Sequence, residues 1–131
     1  MKRLIMDIDG TLSHTEAGDY AGARPIAPVV RRLREYREQG FEIVLHSSRN
    51  MRTFNGNVGR INAVTLPPLI AWLNANNVPF DEIYMGKPWC GHSGFYVDDR
   101  AVRPDEFAQR SIEQLRETIE AAAQRLARLE E

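Results

Sequence analysis

Short apolar runs alternate with helix-like segments along this chain, and this alternation constrains its fold more than any other feature. The runs have strand length and are bounded by turn residues. After the first run, residues 26–39 carry apolar side chains at helical spacing and stop at Gly40. Strands that alternate with helices favour a parallel sheet with helices on its faces. The four predicted strands lie at residues 2–8, 41–46, 82–86 and 94–99.

The intervening segments complete one α/β domain, which we expect to be a Rossmann-like parallel sheet flanked by helices over residues 1–131. Residues 12–25 predict a loop or a small flap. Residues 49–65 predict a long loop, because their Gly and Asn residues fit turns. A helix is predicted from Pro67 to about Asn77, since Pro is favoured at the start of a helix.

The C-terminal segment predicts a helix over about residues 111–130. Ser111 and Gln114 form a capping box at its start. Apolar residues then recur at alternating spacings of three and four, which is a heptad-like seam. Such a seam fits a helix that packs on its own sheet and equally a helix that pairs between subunits. We expect a homo-oligomer, with this helix as one candidate for the contact. The seam consists of Ile112, Leu115, Ile119, Ala122, Leu126 and Leu129.

The charge balance and the cysteine content exclude several classes of protein. The chain has 17 Lys and Arg against 18 Asp and Glu, so we expect neither nucleic acid nor an anionic membrane as a partner. Cys90 is the single cysteine, which excludes an internal disulfide and a Cys-rich zinc site. The N-terminal apolar run is too short for a signal peptide, and no stretch has the roughly 20 apolar residues that a membrane span needs. We therefore expect a cytoplasmic protein.

Reactive side chains follow each of the four predicted strands. In an open α/β sheet, ligands bind beyond the carboxyl ends of the strands. Acids, a lysine and a hydroxyl that meet at one such edge predict a functional site. These strand-end residues are Asp7 and Asp9, then Ser47, then Lys87, and finally Asp98 with Asp99.

The charge at these strand ends predicts a bound cation. Four carboxylates close together are unfavourable unless a cation lies among them. Oxygen ligands without a His or Cys cluster favour Mg²⁺, which also binds substrate phosphate. One carboxylate of the first pair can attack phosphorus as a nucleophile, and its neighbour can act as general acid and then base. Lys87 and the Ser47 hydroxyl are suited to neutralising phosphoryl oxygens.

Four motifs of this chain occur in the order found in the haloacid dehalogenase-like (HAD) phosphatase superfamily. "DIDGTL", residues 7–12, resembles the first motif, and Ser47 after "EIVLH" resembles the second. Lys87 in "MGKP" and the acids of "YVDD" resemble the third and the fourth. The segments "HSSRNMRTFNGNVGRIN" and "GKPWCGHSGFYVDDRAVRP" are similar to a small branch of capsular polysaccharide biosynthesis phosphatases.

The resemblance implies a catalytic role for each matched residue. Asp7 would be the nucleophile and a metal ligand. Asp9 would be the general acid and base, and its backbone carbonyl would bind the metal. Ser47 and Lys87 would hold the transferring phosphoryl group, with Ser48 as the alternative to Ser47.

The resemblance also implies a cofactor and a substrate class. Asp98 and Asp99 would hold Mg²⁺ directly or through water, in addition to Asp7 and Asp9. The chain has no room for a large cap domain, so loops or a neighbouring subunit would shape the site of a capless HAD-like hydrolase core. The substrate would be a small phosphorylated metabolite, such as a sugar phosphate or a nucleotide-linked intermediate of surface-polysaccharide synthesis. The expected substrate contacts are Gly10, Ser48, Arg49, Asn55 and His92.

Two other functions are compatible with an α/β protein that has acids at its strand ends. A receiver-like phosphoacceptor domain takes phosphate on an Asp, but such a domain has no acid two residues beyond it, and here Asp9 is present. A nucleic-acid end phosphatase would need a basic groove, which the near-neutral composition disfavours. A small-molecule phosphatase is therefore the leading hypothesis.

Overall fold

A three-stranded parallel sheet organises the first of two units, Met1–Trp89 and Cys90–Glu131. The computed structural model describes residues 2–16 and 18–131 of the chain. In chain order, the elements of the first unit are β1 (Arg3–Asp7), β2 (Ser13–His14), β3 (Arg24–Pro25), α1 (Ala27–Glu38), β4 (Glu42–Ser47), α2 (Val58–Val64), α3 (Leu66–Ala75) and β5 (Glu82–Met85). The predicted α/β class is confirmed: the sheet is flanked by helices, and the described residues form no large cap.

The strand order is β1–β4–β5, so β4 is the central strand. Asp7 is in register with His46, and Ser47 is in register with Met85. Because all three strands run in parallel, their carboxyl ends lie at one edge. Three of the four predicted strands are thus confirmed, each within two residues of its predicted bounds.

The core of the first unit lies around β4. Ile43, Val44 and Leu45 are consecutive and each is at most 2% exposed, so both faces of this strand are buried. Leu33 of α1 and Leu73 of α3 are also fully buried. Burying one such side chain contributes about 1.5–3 kcal/mol. The central strand is therefore held firmly up to its carboxyl end.

A tight turn follows β1. Gly10 has a φ of +82°, a conformation that L-residues rarely adopt. The backbone N–H groups of residues 11–13 all donate to the Ile8 carbonyl, at 2.8–3.1 Å. β2 and β3 then pair antiparallel, so residues 12–25 contain a short hairpin, as the predicted small flap requires.

The long loop predicted at residues 49–65 is wrong in its second half, where α2 occupies Val58–Val64. The side chain of Asn57 accepts a hydrogen bond from the Arg60 backbone N–H at 3.0 Å and so caps this helix. The prediction failed because the Asn and Gly residues of this segment were all assigned to turns, whereas Asn57 begins a helix. The next helix, α3, starts one residue before its predicted position.

The second unit contains two helices, α4 (Pro104–Gln109) and α5 (Ile112–Arg128). The strand predicted at residues 94–99 is wrong, because these residues form no strand. Phe95 and Val97 are 80% and 88% exposed. An apolar run becomes a strand only where a neighbouring strand supplies hydrogen-bond partners, and the run itself does not carry that information.

The predicted C-terminal helix and its capping box are confirmed in α5. The Ser111 hydroxyl accepts from the Gln114 N–H at 3.2 Å, and the Gln114 side chain accepts from the Ser111 N–H at 2.8 Å. Leu115 is buried, whereas Leu126 and Leu129 are exposed. In the part of the chain that the structure describes, no helix combines the length and the apolar character that crossing a bilayer demands.

Candidate active site

Asp7 lies at the carboxyl end of β1 and has two side-chain partners. The Lys87 Nζ donates to Asp7 Oδ1 at 3.2 Å, and the Thr11 hydroxyl donates to Asp7 Oδ2 at 2.9 Å. The Lys87 side chain is 14% exposed and that of Asp7 is 31% exposed. The carboxylate is therefore oriented by a cation on one oxygen and by a hydroxyl on the other, and it still reaches the surface.

Asp9 is held more tightly, by a guanidinium that contacts both of its oxygens. The Arg49 Nη2 donates to Asp9 Oδ1 at 2.8 Å, and the Arg49 Nε donates to Asp9 Oδ2 at 3.1 Å. The hydroxyls of Thr15 and Ser13 also donate to Oδ1, at 3.1 and 3.4 Å. The Arg49 side chain is 4% exposed and that of Asp9 is 29% exposed, so the guanidinium is shielded from water while the carboxylate reaches the surface. The bidentate geometry fixes the direction of the Asp9 carboxylate.

Ser47 and Lys87 come from the ends of neighbouring strands. Ser47 is the last residue of β4 and is 1% exposed, and its hydroxyl oxygen accepts the Arg49 backbone N–H at 2.9 Å. The Lys87 backbone N–H donates to the Ser47 carbonyl at 3.0 Å, just beyond β5. Gly86 permits this path with a φ of +91°. We call Asp7, Asp9, Ser47, Arg49 and Lys87 the carboxylate site.

Burial and charge perturb two groups that border the carboxylate site. The pKa of His46 is lowered by burial, then by the positive charge of Lys87, against the opposing effect of Asp7. The pKa of Tyr20 is raised by burial and by the negative charge of Asp9. His46 is thus held neutral and Tyr20 is held protonated at neutral pH.

The donor atoms of the carboxylate site are oxygens, which is the chemistry that Mg²⁺ prefers. Asp7 and Asp9 already have Lys87 and Arg49 as counter-charges within the first unit. Among residues 2–16 and 18–131, no three His, Cys, Asp or Glu side chains gather into a metal-binding group. The donor type fits Mg²⁺, which proteins usually hold through one or two carboxylates together with waters and substrate phosphate. The metal stays a prediction.

The remaining predicted site residues fall in different places. Gly10 lies in the turn after β1, and Ser48 directly follows Ser47. Asn55 is exposed in the turn before α2, with a φ of 51°. His92 belongs to the second unit, and so do Asp98 and Asp99. Their roles in substrate or metal binding stay predictions.

Asp98 has a local partner of its own. The Arg100 backbone N–H donates to Asp98 Oδ1 at 2.9 Å. This hydrogen bond holds the pKa of Asp98 below its ordinary value. The carboxyl is therefore ionised at neutral pH, as a metal ligand must be.

Sequence reasoning missed the hydroxyls and the ring that surround the two acids. Thr11, Ser13 and Thr15 lie within six residues of the acids they contact, and their spacing carried that signal. The contact of Tyr20 with Arg49 spans distant positions and had no local signal. Arg49 was assigned to substrate binding, and the structure gives its guanidinium a partner in the protein, Asp9.

The chain is similar to an MCSG target from Vibrio cholerae whose crystal structure is known. The two are 54% identical with a TM-score of 0.90, and the match covers 92% of this chain and 98% of that chain. This chain belongs to the same family as that protein. The similarity supports the fold described above, and the activity is to be inferred from the residues of the site.

A more distant similarity is to a chain of the Pnkp1/Rnl/Hen1 complex. The identity is 22% and the TM-score is 0.49, and the match covers 83% of this chain and 34% of that chain. At that level, similarity supports no inference about activity. No protein-family model matches the chain, and no curated protein does.

Proposed function

We propose that the protein is a phosphatase of the HAD type, which hydrolyses phosphomonoesters through an aspartyl-phosphate intermediate. The observation that carries this proposal is that Asp7 and Asp9, two positions apart at the end of β1, have different cations as partners. Two carboxylates in different environments are suited to two different roles. The four ordered sequence motifs supply the assignment of those roles.

In the proposed reaction, an Asp7 carboxylate oxygen attacks phosphorus while the bond from phosphorus to the leaving oxygen breaks. Asp9 donates a proton to that leaving oxygen, which departs as an alcohol. A water molecule then attacks the phosphorus of the aspartyl phosphate, and Asp9 takes a proton from this water. Inorganic phosphate leaves and the Asp7 carboxylate is restored.

Lys87 and Ser47 would hold the oxygens of the phosphoryl group that do not react. Lys87 is part-buried beside the nucleophile, so its charge is screened less than that of a surface lysine. The Ser47 oxygen already accepts from the Arg49 N–H, which leaves its hydroxyl hydrogen to be donated elsewhere. Both groups can therefore stabilise charge that develops in the transition state.

Mg²⁺ is the proposed cofactor. Asp7 and the Asp9 carbonyl are residues that would hold it, and Asp98 and Asp99 are the further ligands that the motif resemblance implies. The ion would supply charge neutralisation for the phosphoryl oxygens.

The proposed substrate class is a small phosphorylated metabolite, a sugar phosphate or a nucleotide-linked intermediate of surface-polysaccharide synthesis, with sugar phosphates and nucleotides to be tested first. The similarity of two sequence segments to capsular polysaccharide phosphatases supports this choice. Arg52 lies over the Trp89 ring at 5.9 Å, and Arg60 lies over the Phe54 ring at 5.5 Å. Cationic and aromatic groups of this kind suit a polar anionic substrate.

The test is phosphate release from a panel of sugar phosphates, nucleotides and a 3′-phosphorylated oligonucleotide, with Mg²⁺ or with EDTA. We expect metal-dependent release from a sugar phosphate or a nucleotide, and its loss by at least roughly a thousandfold in Asp7→Asn, because an amide cannot act as the nucleophile. Asp105→Asn, on the exposed start of α4, is the matched control and should retain activity.

Three results would contradict the proposal. Full activity in Asp7→Asn would remove the nucleophile from the mechanism. Undiminished phosphate release in EDTA would show that the reaction does not require Mg²⁺. Preference for the oligonucleotide over every small substrate would favour the alternative function, a nucleic-acid end phosphatase.

A further inference from the structure

Tyr20 covers the guanidinium that holds Asp9. The Arg49 Cζ lies 4.3 Å from the centroid of the Tyr20 ring, which is well within the range of a cation–π contact. Tyr20 belongs to the loop between β2 and β3, whereas Arg49 follows β4. The ring therefore links the hairpin after the first strand to the end of the central strand.

Tyr20 is itself held in place. The Tyr20 backbone N–H donates to the Gly18 carbonyl at 2.9 Å, and the Tyr20 carbonyl accepts from the Ala23 N–H at 3.3 Å. The Tyr20 backbone is thus secured in a turn, and its ring packs against Arg49 with its face.

The guanidinium has a second anchor on its other side. Arg49 donates from Nε to one Asp9 oxygen at 3.1 Å and from Nη2 to the other at 2.8 Å, and this bidentate contact couples the orientations of the two groups. A shift of the guanidinium would turn the carboxylate with it. The order of contacts is Tyr20 ring, Arg49 guanidinium, Asp9 carboxylate.

We propose that Tyr20 is a positioning residue, which acts through Arg49 to aim Asp9 at the leaving oxygen. The inference rests on the proposed role of Asp9 as general acid. Arg49 is shielded from water. Its N–H groups contact the Asp9 carboxylate, and the face of its guanidinium is covered by the Tyr20 ring. Removing the ring face would let the guanidinium tilt and would misalign the proton donor.

The test compares Tyr20→Leu with Tyr20→Phe on two substrates. An alkyl phosphate has a poor leaving group that must be protonated, whereas p-nitrophenyl phosphate has a good one that needs little protonation. We expect kcat/KM of Tyr20→Leu to fall roughly tenfold on the alkyl phosphate and to change less than about twofold on p-nitrophenyl phosphate. This ratio reports the steps through formation of the aspartyl phosphate, so the later base step of Asp9, which is common to both substrates, does not enter it. Tyr20→Phe keeps the ring and should restore most of the alkyl-phosphate rate. Tyr84→Leu, an exposed tyrosine on β5, is the matched control.

Equal losses on both substrates would assign Tyr20 a purely structural role and would overturn the proposal. So would an unchanged alkyl-phosphate rate in Tyr20→Leu, or a phenylalanine variant as slow as the leucine variant. Circular dichroism establishes that each variant is folded. If Tyr20→Leu does not fold, Tyr20→Met makes the same comparison with an unbranched side chain.

A second readout does not depend on turnover and separates this proposal from the proposed function. The Arg49 Nε–H, hydrogen-bonded to Asp9 and shielded, should exchange slowly with solvent in ¹⁵N NMR spectra of the wild type and of Tyr20→Phe. In Tyr20→Leu we expect exchange at least roughly tenfold faster, because the cover is gone. Unchanged exchange would overturn the positioning role. If the wild type hydrolyses no phosphomonoester, the proposed function fails, and this measurement alone decides the Tyr20–Arg49–Asp9 linkage.

Discussion

Asp7 and Asp9 carry the same functional group, and their neighbours make them different. Asp7 contacts a lysine ammonium, a point charge on a flexible stem, at one oxygen and the Thr11 hydroxyl at the other. Asp9 contacts a planar guanidinium that occupies both of its oxygens. The two side chains are almost equally exposed, at 31% and 29%, so they differ in their partners and not in their access to water. In the proposed reaction, the less constrained carboxylate suits the nucleophile and the one with a fixed direction suits the acid.

Replacing Arg49 by Lys should separate the effect of its positive charge from the effect of its planar, bidentate contact with Asp9. An ammonium keeps the positive charge, but it cannot bind two carboxylate oxygens in one plane. We expect kcat on an alkyl phosphate to fall roughly 10- to 100-fold with a smaller change in KM. Arg31→Lys, on the exposed face of α1, is the control and should behave as the wild type. A rise in KM with kcat unchanged would instead assign Arg49 to substrate contact.

At this scale the sequence predicts which strand-end residues lie close together better than it predicts their individual contacts. Asp7, Ser47 and Lys87 could be named from residue type and position at strand ends, and the structure brings them together with Asp9. The pairing of Arg49 with Asp9 joins residues 40 positions apart, and no local pattern encodes it. The Asp9 contact of Arg49 is therefore not predictable from its residue type and position, and its predicted substrate contact stays a prediction.

At the scale of elements, the passage from β5 to Lys87 depends on Gly86. Its φ is +91°, and a Cβ built there would lie 2.9 Å from Val58 Cγ2 of α2. The glycine thus permits both a left-handed backbone and the close approach of a helix. Its neighbour in sequence is Lys87, which contacts Asp7.

Gly86→Ala should lower the free energy of unfolding by about 1–3 kcal/mol, through backbone strain and the clash with Val58. Gly59→Ala is the matched control, because Gly59 lies inside α2 with a helical backbone and its added Cβ meets only an ordinary contact at 3.5 Å. That control should be stabilised by about 0.5–1 kcal/mol. Urea unfolding of both variants is the measurement, and equal stability of the two would contradict the assignment.

A pattern of apolar residues predicts a strand or a helix correctly when the signal for that element is contained in its own sequence. β1, β4 and β5 were found because buried parallel strands read as apolar runs, and α5 because its cap and seam are local. Residues 94–99 have the same apolar character and form no strand, since pairing depends on a neighbour that composition does not specify. The helix α2 was missed because Asn57 was assigned to a turn when it is a cap.

At the scale of the whole molecule, the chain presents an exposed apolar seam on α5. Leu126 and Leu129 are 58% and 80% exposed, although they continue the heptad spacing of Ile112 and Leu115. Exposed leucines at that spacing favour a second helix as their partner. The homo-oligomer predicted from the sequence remains a prediction that this seam makes testable.

The double variant Leu126→Glu with Leu129→Glu should reduce the oligomer to a monomer, because paired helices would bring four added negative charges together. Circular dichroism should show α5 retained, since both positions are exposed. Gln124→Glu, at an exposed position outside the seam, is the control. Light scattering gives the mass, and an unchanged mass in the double variant would reject the seam as the contact.

The two oxygens of Asp9 are not equivalent, and this has a stereochemical consequence for the proposed reaction. Oδ1 accepts from Arg49, Thr15 and Ser13, so its lone pairs are engaged. Oδ2 accepts from Arg49 Nε on the side that faces the guanidinium. In the proposed reaction, the proton that Asp9 gives and takes back would therefore travel on Oδ2, which has fewer hydrogen-bond donors around it than Oδ1. The leaving oxygen would have to arrive from the side of Oδ2, so the proposed enzyme would discriminate substrates by that direction of approach.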